Sequence, residues 1–246
     1  MADAPTPTLD PAEIEKFSAL AAEWWNPKGP FGALHRLNPL RLAYIRDLAR
    51  AKLPHWPAPA RRPLEGLATL DLGCGGGLVS VPLARMGAKV TAIDASAEAI
   101  GAARAYAAQT GLDIDFRSDT AEALVETGAR FDLVVALEVI EHVADVAAFL
   151  RAASALVRPE GMLALSTINR TARARAFALF GAERILKWAP EGAHDYDKLV
   201  TPDEIRAGAP DIEWGEAVGL SYQPLGRGWE LSRDVSINYL MAGRRR

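Results

Sequence analysis

From Leu67 onward, short apolar runs alternate with amphipathic stretches. The pattern predicts strands at 67–72, 88–93, 113–117, 131–137 and 161–167, with helices between them at about 77–86, 96–110, 119–126 and 143–157. Short apolar strands separated by helices imply a parallel sheet covered on both faces. Before this block, Ile14, Phe17, Leu20, Ala21 and Trp24 fall at helical spacing after Asp10, a good N-cap. Asn26-Pro27-Lys28-Gly29-Pro30 breaks that helix, and a second is predicted from Pro39, following Asn38, through Ala51. Pro54, Pro57, Pro59 and Pro63 read as a stiff linker. After the fifth strand come a helix at about 171–188 and a short one opening on Thr201-Pro202-Asp203-Glu204. Strands at 213–222 and 234–241 are predicted to pair antiparallel. The chain thus divides into a disordered tail (1–10), an N-terminal helical lid with a Pro-rich linker (11–64) and one α/β domain (65–246).

Composition narrows this picture without changing it. The 246 residues carry a formal net charge of −3, which gives no nucleic-acid footprint. One cysteine forbids an internal disulfide, so a reducing compartment is natural. The first ten residues lack the basic and apolar regions of a signal peptide, and no run approaches the length of a membrane span. A soluble cytoplasmic protein is the expectation.

The candidate chemistry begins where the first strand ends, at Leu70-Asp71-Leu72-Gly73-Cys74-Gly75-Gly76-Gly77. Strand, glycine turn and helix start let a ligand approach bare backbone and helix N–H groups. About 20 residues later Val90-Thr91-Ala92-Ile93 ends in Asp94, an acid suited to a ribose diol. The dinucleotide pattern Gly-x-Gly-x-x-Gly needs a third glycine where this chain has Leu78. Asp71 would also set negative charge near a pyrophosphate. An ammonium and a sulfonium would meet it favourably, so Asp71, Gly73, Gly75 and Asp94 favour S-adenosylmethionine over NAD.

Asp71-Leu72-Gly73-Cys74-Gly75-Gly76-Gly77 with Asp94 resembles the class I S-adenosylmethionine-dependent methyltransferases. Phe17-x-x-x-Ala21-x-x-Trp24-Trp25 and Leu34-His35-Arg36-Leu37-Asn38-Pro39-Leu40-Arg41 resemble the lid of the ubiquinone-biosynthesis O-methyltransferases. So do Glu138-Val139-Ile140-Glu141-His142-Val143, Ser166-Thr167-Ile168-Asn169-Arg170 and Gly192-Ala193-His194-Asp195. The resemblance runs from about residue 13 to residue 240. It implies a Rossmann-like fold with a seven-stranded, mostly parallel sheet and an antiparallel C-terminal strand. It implies two O-methylations of catechol-type hydroxyls on polyprenylated phenol and quinol rings, with the other enzymes of that route as partners. Carried over by position, it implies cofactor contacts at Arg41 (to the methionine carboxylate), Gly73, Asp94 and Leu137. Asp119 is placed by fold analogy at the adenine amino group.

Methylating a phenol requires removing its proton or holding the oxygen on a cation. Glu138-x-x-Glu141-His142 follows the fourth strand, and as a helix it would put all three side chains on one face. Two carboxylates and an imidazole can hold Mg²⁺, in line with the metal dependence the family implies. Alternatively His142 is itself the general base. The plainer alternatives are first-turn acids complementing a helix dipole, a capping histidine, and a small packing residue at Cys74. His35 reads as a lid packing residue and His194-Asp195 as a surface pair. The segment 173–188, with Phe177, Leu179, Phe180 and Trp188 among Arg173, Arg175, Arg184 and Lys187, can lie on an anionic membrane surface or pack as a lid helix. Peripheral association with the inner face of the membrane follows from the first reading. A methyltransferase for another small acceptor and a non-catalytic cofactor-binding scaffold are the competing functions.

Overall fold

The computed structural model describes residues 8–53, 61–176, 196–223 and 228–246. In chain order the helices are α1 (Pro11–Ala19), α2 (Gly32–Lys52), α3 (Ser80–Arg85), α4 (Ala97–Thr110), α5 (Ala121–Glu126), α6 (Val146–Ala155), α7 (Ala172–Ala176) and α8 (Pro202–Gly208). The strands are β1 (Ala68–Leu72), β2 (Lys89–Asp94), β3 (Asp115–Ser118), β4 (Phe131–Leu137), β5 (Val157–Ile168), β6 (Ile212–Trp214), β7 (Val218–Gln223), β8 (Gly228–Ser232) and β9 (Asn238–Arg245). They form one sheet in the order β3-β2-β1-β4-β5-β9-β7-β8, with β6 also on β9. The first five are parallel, and β9 runs antiparallel to β5 from Met162–Arg244 to Ile168–Asn238.

The parallel core follows from the apolar runs. Leu70, Leu133, Val134, Val135, Leu163 and Leu165 are fully buried, because helices cover both faces of the sheet. The described residues hold nine strands rather than seven. The run expected at 213–222 is cut in two at Gly215, whose amide is drawn to the Ala242 carbonyl. The hairpin strand β8 adds to the edge, and β9 starts four residues later than its apolar content predicts.

The N-terminal elements depart from the expected plan in three ways. First, α2 runs through Pro39 instead of starting there. Asn38 does not cap it; its side chain turns toward the Leu78 carbonyl and accepts from Arg41. Second, Leu37, Leu42, Ile45 and Ala49 pack in one cluster with Leu133, Val135 and Leu240, so α2 belongs to the main core rather than to a separable lid. Third, order begins before residue 11. Thr8 is buried and its carbonyl accepts from the Ala144 amide, while Asp10 caps α1 and pairs with Lys198. The lid proper is α1, a 3-10 turn at Ala21–Glu23, and the cluster of Trp24, Phe31 and Leu78. Among the described residues no helix is long and apolar enough to cross a membrane.

Candidate active site

The sheet reverses its winding between β1 and β4, and the C-terminal ends of β1, β2 and β4 open together there. The glycine turn leaves β1 with the amides of both Gly73 and Cys74 donating to the Ile93 carbonyl, each at 2.9 Å. Gly75 takes a left-handed φ of 51°. That turns its amide onto Asp94 Oδ2 at 2.8 Å, while Ser96 N donates to Oδ1 at 2.9 Å. One carboxylate therefore fixes both the glycine turn and the start of α4. Ser96, not Asp94, is the N-cap of that helix. Burial holds the Asp94 carboxyl above its usual range, against the pull of these two amides.

An open-sided cavity lies over these strand ends. Gly73, Gly75, Asp94, Asp119, Glu138 and His142 line it from the α/β domain, and Ile14, Phe17 and Trp24 from the lid. Asp10, Glu13, Asp94, Asp119 and Glu138 are the charged groups in its wall; among the described residues no Lys or Arg lines it. Lys198 pairs with Asp10 and Glu13, Lys16 with Glu13, and Arg41 with Glu138, so cations behind the wall balance three of these acids, while Asp94 and Asp119 stand at the strand ends.

The acid that suggested a cationic ligand is not in this wall. Asp71 is 2% exposed and is not part of the cavity. It lies beneath the turn, accepting from Ser80 Oγ, and burial raises its carboxyl to about 7. In the structure it ties β1 to α3. Leu137 ends β4 in the core, immediately before the wall residues Glu138 and Val139. Cys74 is buried, and burial pushes its thiol well up, as for a packing residue.

Arg41 is buried at 1% exposure and does not line the cavity either. Its Nη2 lies 2.7 Å from Glu138 Oε1, which also accepts from Ser166 Oγ at 2.8 Å. Glu138 sits at a φ of 55°, uncommon for a residue with a Cβ, so its geometry is imposed by these partners. Glu138→Ala would leave a buried guanidinium without its carboxylate. It should lower the unfolding free energy by roughly 3 kcal/mol in urea titration, where an exposed pair would cost under about 1.

Glu138, Glu141 and His142 are not gathered. The stretch is a 3-10 turn at Ile140–His142, not an α-helical face. Glu138 faces Arg41. Glu141 turns into the core, where burial raises its carboxyl to about 7. His142 Nδ1 is 2.9 Å from Glu13 Oε2. Among the described residues no cluster of three His, Cys, Asp or Glu is placed to hold a metal. With a guanidinium already on Glu138, these residues do not fit the expected Mg²⁺ site.

Glu13 is the wall residue that periodicity gave no reason to single out, because in the sequence it is simply a first-turn acid of α1. The lid reaches the site through it and through other ties. Ser18 Oγ is 2.7 Å from Ser96 Oγ, and Trp25 Nε1 donates to the Gly76 carbonyl. His35 Nε2 lies 2.9 Å from the Trp24 carbonyl. Trp24 stacks on Phe31 and Trp25 on Tyr106, so both tryptophans pack and Trp24 also forms cavity wall. His194, Asp195 and residues 177–188 of the basic segment lie outside the described residues. Within it, Arg173 pairs with Asp234, and Arg175 lies over the Tyr196 ring.

A Rossmann-like sheet with an antiparallel β9, a glycine turn tied to the acid ending β2, and a carboxylate-lined cavity define a class I S-adenosylmethionine-dependent methyltransferase. Residues 70–165 match the family described as Methyltransferase domain. The magnesium protoporphyrin IX methyltransferase of Synechocystis, solved with S-adenosylmethionine bound, superposes with a TM-score of 0.53 at 18% identity, over 94% of this chain and 97% of that one. At that identity the likeness is one of fold. The ubiquinone biosynthesis O-methyltransferase of Sinorhizobium medicae is 48% identical over 247 residues, covering 100% of this chain and 99% of that protein. That of Brucella ovis is 49% identical over 240 residues, covering 97% and 96%. The chain belongs to the ubiquinone biosynthesis O-methyltransferases.

Proposed function

We propose that this enzyme methylates catechol-type hydroxyls on polyprenylated ring intermediates, and that it serves both O-methylation steps of ubiquinone biosynthesis. The observation that carries the proposal is the two-sided cavity. A carboxylate-lined strand edge faces Ile14, Phe17 and Trp24, an apolar wall suited to an aromatic acceptor. Bound S-adenosylmethionine supplies the electrophilic methyl. In this reading Asp94 receives the ribose hydroxyls and Asp119, just after β3, the adenine; both line the cavity. The wall acids favour the sulfonium, and the lid excludes water from the acceptor oxygen. As the oxygen–carbon bond forms and the sulfur–carbon bond breaks, the phenolic proton goes to His142.

Residues 173–188 remain our candidate for contact with anionic lipid, where a polyprenyl substrate resides. Sedimentation with anionic liposomes tests that, with Phe180→Glu and Trp188→Glu expected to reduce binding. The activity itself is tested by calorimetry with S-adenosylmethionine and NAD, followed by methyl transfer to short-chain analogues of both ring substrates. Binding of the first alone, with turnover on both rings, is the expected result. Turnover on one ring would reduce the proposal to a single step. Tight cofactor binding without turnover on either would favour a scaffold or an enzyme for another acceptor.

A further inference from the structure

The hairpin of β7 and β8 stands clear of the sheet at the edge where the cavity opens. β7 pairs with β9 only at Val218 and Gly219; from Leu220 to Gln223 its strand partner is β8 alone. Leu240 is level with both Val218 and Ser166, and Ser166 is level with Leu137 at the end of β4. β7 runs parallel to β4, so Tyr222 lies four residues beyond that level and three strands across. The offsets are roughly 13 Å along the strands and roughly 14 Å across them, on the order of 20 Å in all. Leu220 and Leu231 are cross-strand partners, as are Tyr222 and Trp229, so all four share one face. Leu220 is buried in the cluster that holds Leu42 and Ile45, which makes this the face covered by α2. Farther out the cover ends: Tyr222 is 43% exposed and Leu231 40%. Leu9 is the one other exposed large apolar side chain among the described residues.

The four side chains of this face are uncharged, whereas Glu230, Ser232 and Gln223 take the other. An apolar strip left in water on a projecting hairpin calls for an apolar occupant. A second copy of the chain is a poor fit. These side chains offer roughly a few hundred Å², and a stable interface buries about 800 Å² per partner. A bilayer surface is a poor fit as well, because among the described residues no cation stands on this face to meet anionic headgroups. A ring seated over the end of β4 leaves its side chain to run outward, and several isoprene units cover the distance to Tyr222. We propose that Tyr222, Trp229 and Leu231 form a subsite for the polyprenyl chain of the acceptor, taking its distal units while the first units cross the open edge. The proposal rests on the reading of the acceptor as a polyprenylated ring. Contact so far from the methyl in transfer acts on ground state and transition state alike, so the hairpin sets KM and leaves kcat.

The test is methyl transfer by the full chain, in neutral-detergent micelles, to a single-prenyl and an octaprenyl ring analogue. The double variant Tyr222→Thr with Leu231→Thr removes apolar area at exposed positions and keeps residues that suit a strand. Its KM for the octaprenyl analogue should rise roughly 10-fold, with kcat within about twofold of the parent. Both constants for the single-prenyl analogue should stay at the parent's values. A photoreactive diazirine midway along the octaprenyl chain should label β7 or β8 in the parent, a readout that does not depend on the variant folding. An octaprenyl KM at the parent's value, a rise shared by both analogues, or labelling confined to other segments would overturn the proposal. A variant that loses only its sedimentation with anionic liposomes would give the hairpin to the bilayer. One that changes only its sedimentation coefficient would give it to a second copy, and either result overturns the subsite. Parent turnover on unprenylated catechols but on neither prenylated analogue would strike the acceptor reading itself. That failure shows in the parent alone, whereas failure of the subsite shows in the comparison with the variant.

Discussion

Asp94→Ala is expected to weaken S-adenosylmethionine binding roughly 100-fold, a loss of about 2.7 kcal/mol, while leaving the sheet folded. The side chain has two duties that no neighbour can take over. It accepts the Gly75 and Ser96 amides, which hold the glycine turn in its left-handed form, and it presents the one carboxylate at the end of β2. Alanine removes the acceptor of both amides and the partner for the ribose hydroxyls. Hydrogen bonds to a charged group are worth about 1.5–3 kcal/mol each. Part of that loss is recovered because water can reach the open cavity. Asp94→Asn would keep one acceptor oxygen and should fall between the parent and the alanine variant. Calorimetry decides the matter: a change below about threefold in Asp94→Ala would show that the turn keeps its form and its ligand without this acid.

The second large effect is expected at Gly76. A Cβ there would lie 2.3 Å from both Cβ and Cγ of Trp24, atoms next to the Trp24 backbone that cannot swing away. The carbonyl of Gly76 also accepts from Trp25 Nε1. Gly76→Val must therefore lift the 3-10 turn and its two tryptophans off the glycine loop. The conformation at Gly76 is ordinary, so the consequence is displacement rather than backbone strain. Because the lid packs on the outside of the sheet, far-UV circular dichroism should stay close to that of the parent. We expect kcat/KM for a catechol analogue to drop roughly 100-fold and residues 11–30 to become sensitive to limited proteolysis. Parent-like turnover would mean that the aromatic wall is dispensable.

Much of this architecture is legible in the chain because the central strands β1 and β4 and the second half of β5 are nearly continuous apolar runs, which burial on two faces explains. The glycine turn and Asp94 are equally visible, since their chemistry depends on local spacing. What stayed hidden depends on partners distant in sequence. Asp71 reads as a ligand-facing acid until the pleat is known, and the pleat points it at Ser80 beneath the loop. Glu138 and Glu141 share a face only if their segment is an α-helix. A left-handed residue followed by a 3-10 turn sends one to Arg41 and the other into the core. Asn38-Pro39 looks like a helix start, yet tertiary packing of Leu37 and Leu42 carries α2 through the proline. Glu13 has no local signature at all, because its partner is 129 residues away.

None of the nine residues of α1 is buried, although the helix forms one wall of the cavity. Its hold on the domain consists of hydrogen bonds and ion pairs at its ends and edges, together with the half-buried Phe17 packed on Phe31 and His142. Local opening free energies follow buried contacts. This helix is therefore the cheapest part of the site to detach, well below the cost of unfolding the sheet. Exchange of ligands at the strand edge can be accomplished by the release of one short helix, so the time for which the lid stays in place is set by a few polar contacts and one aromatic side chain rather than by the stability of the fold.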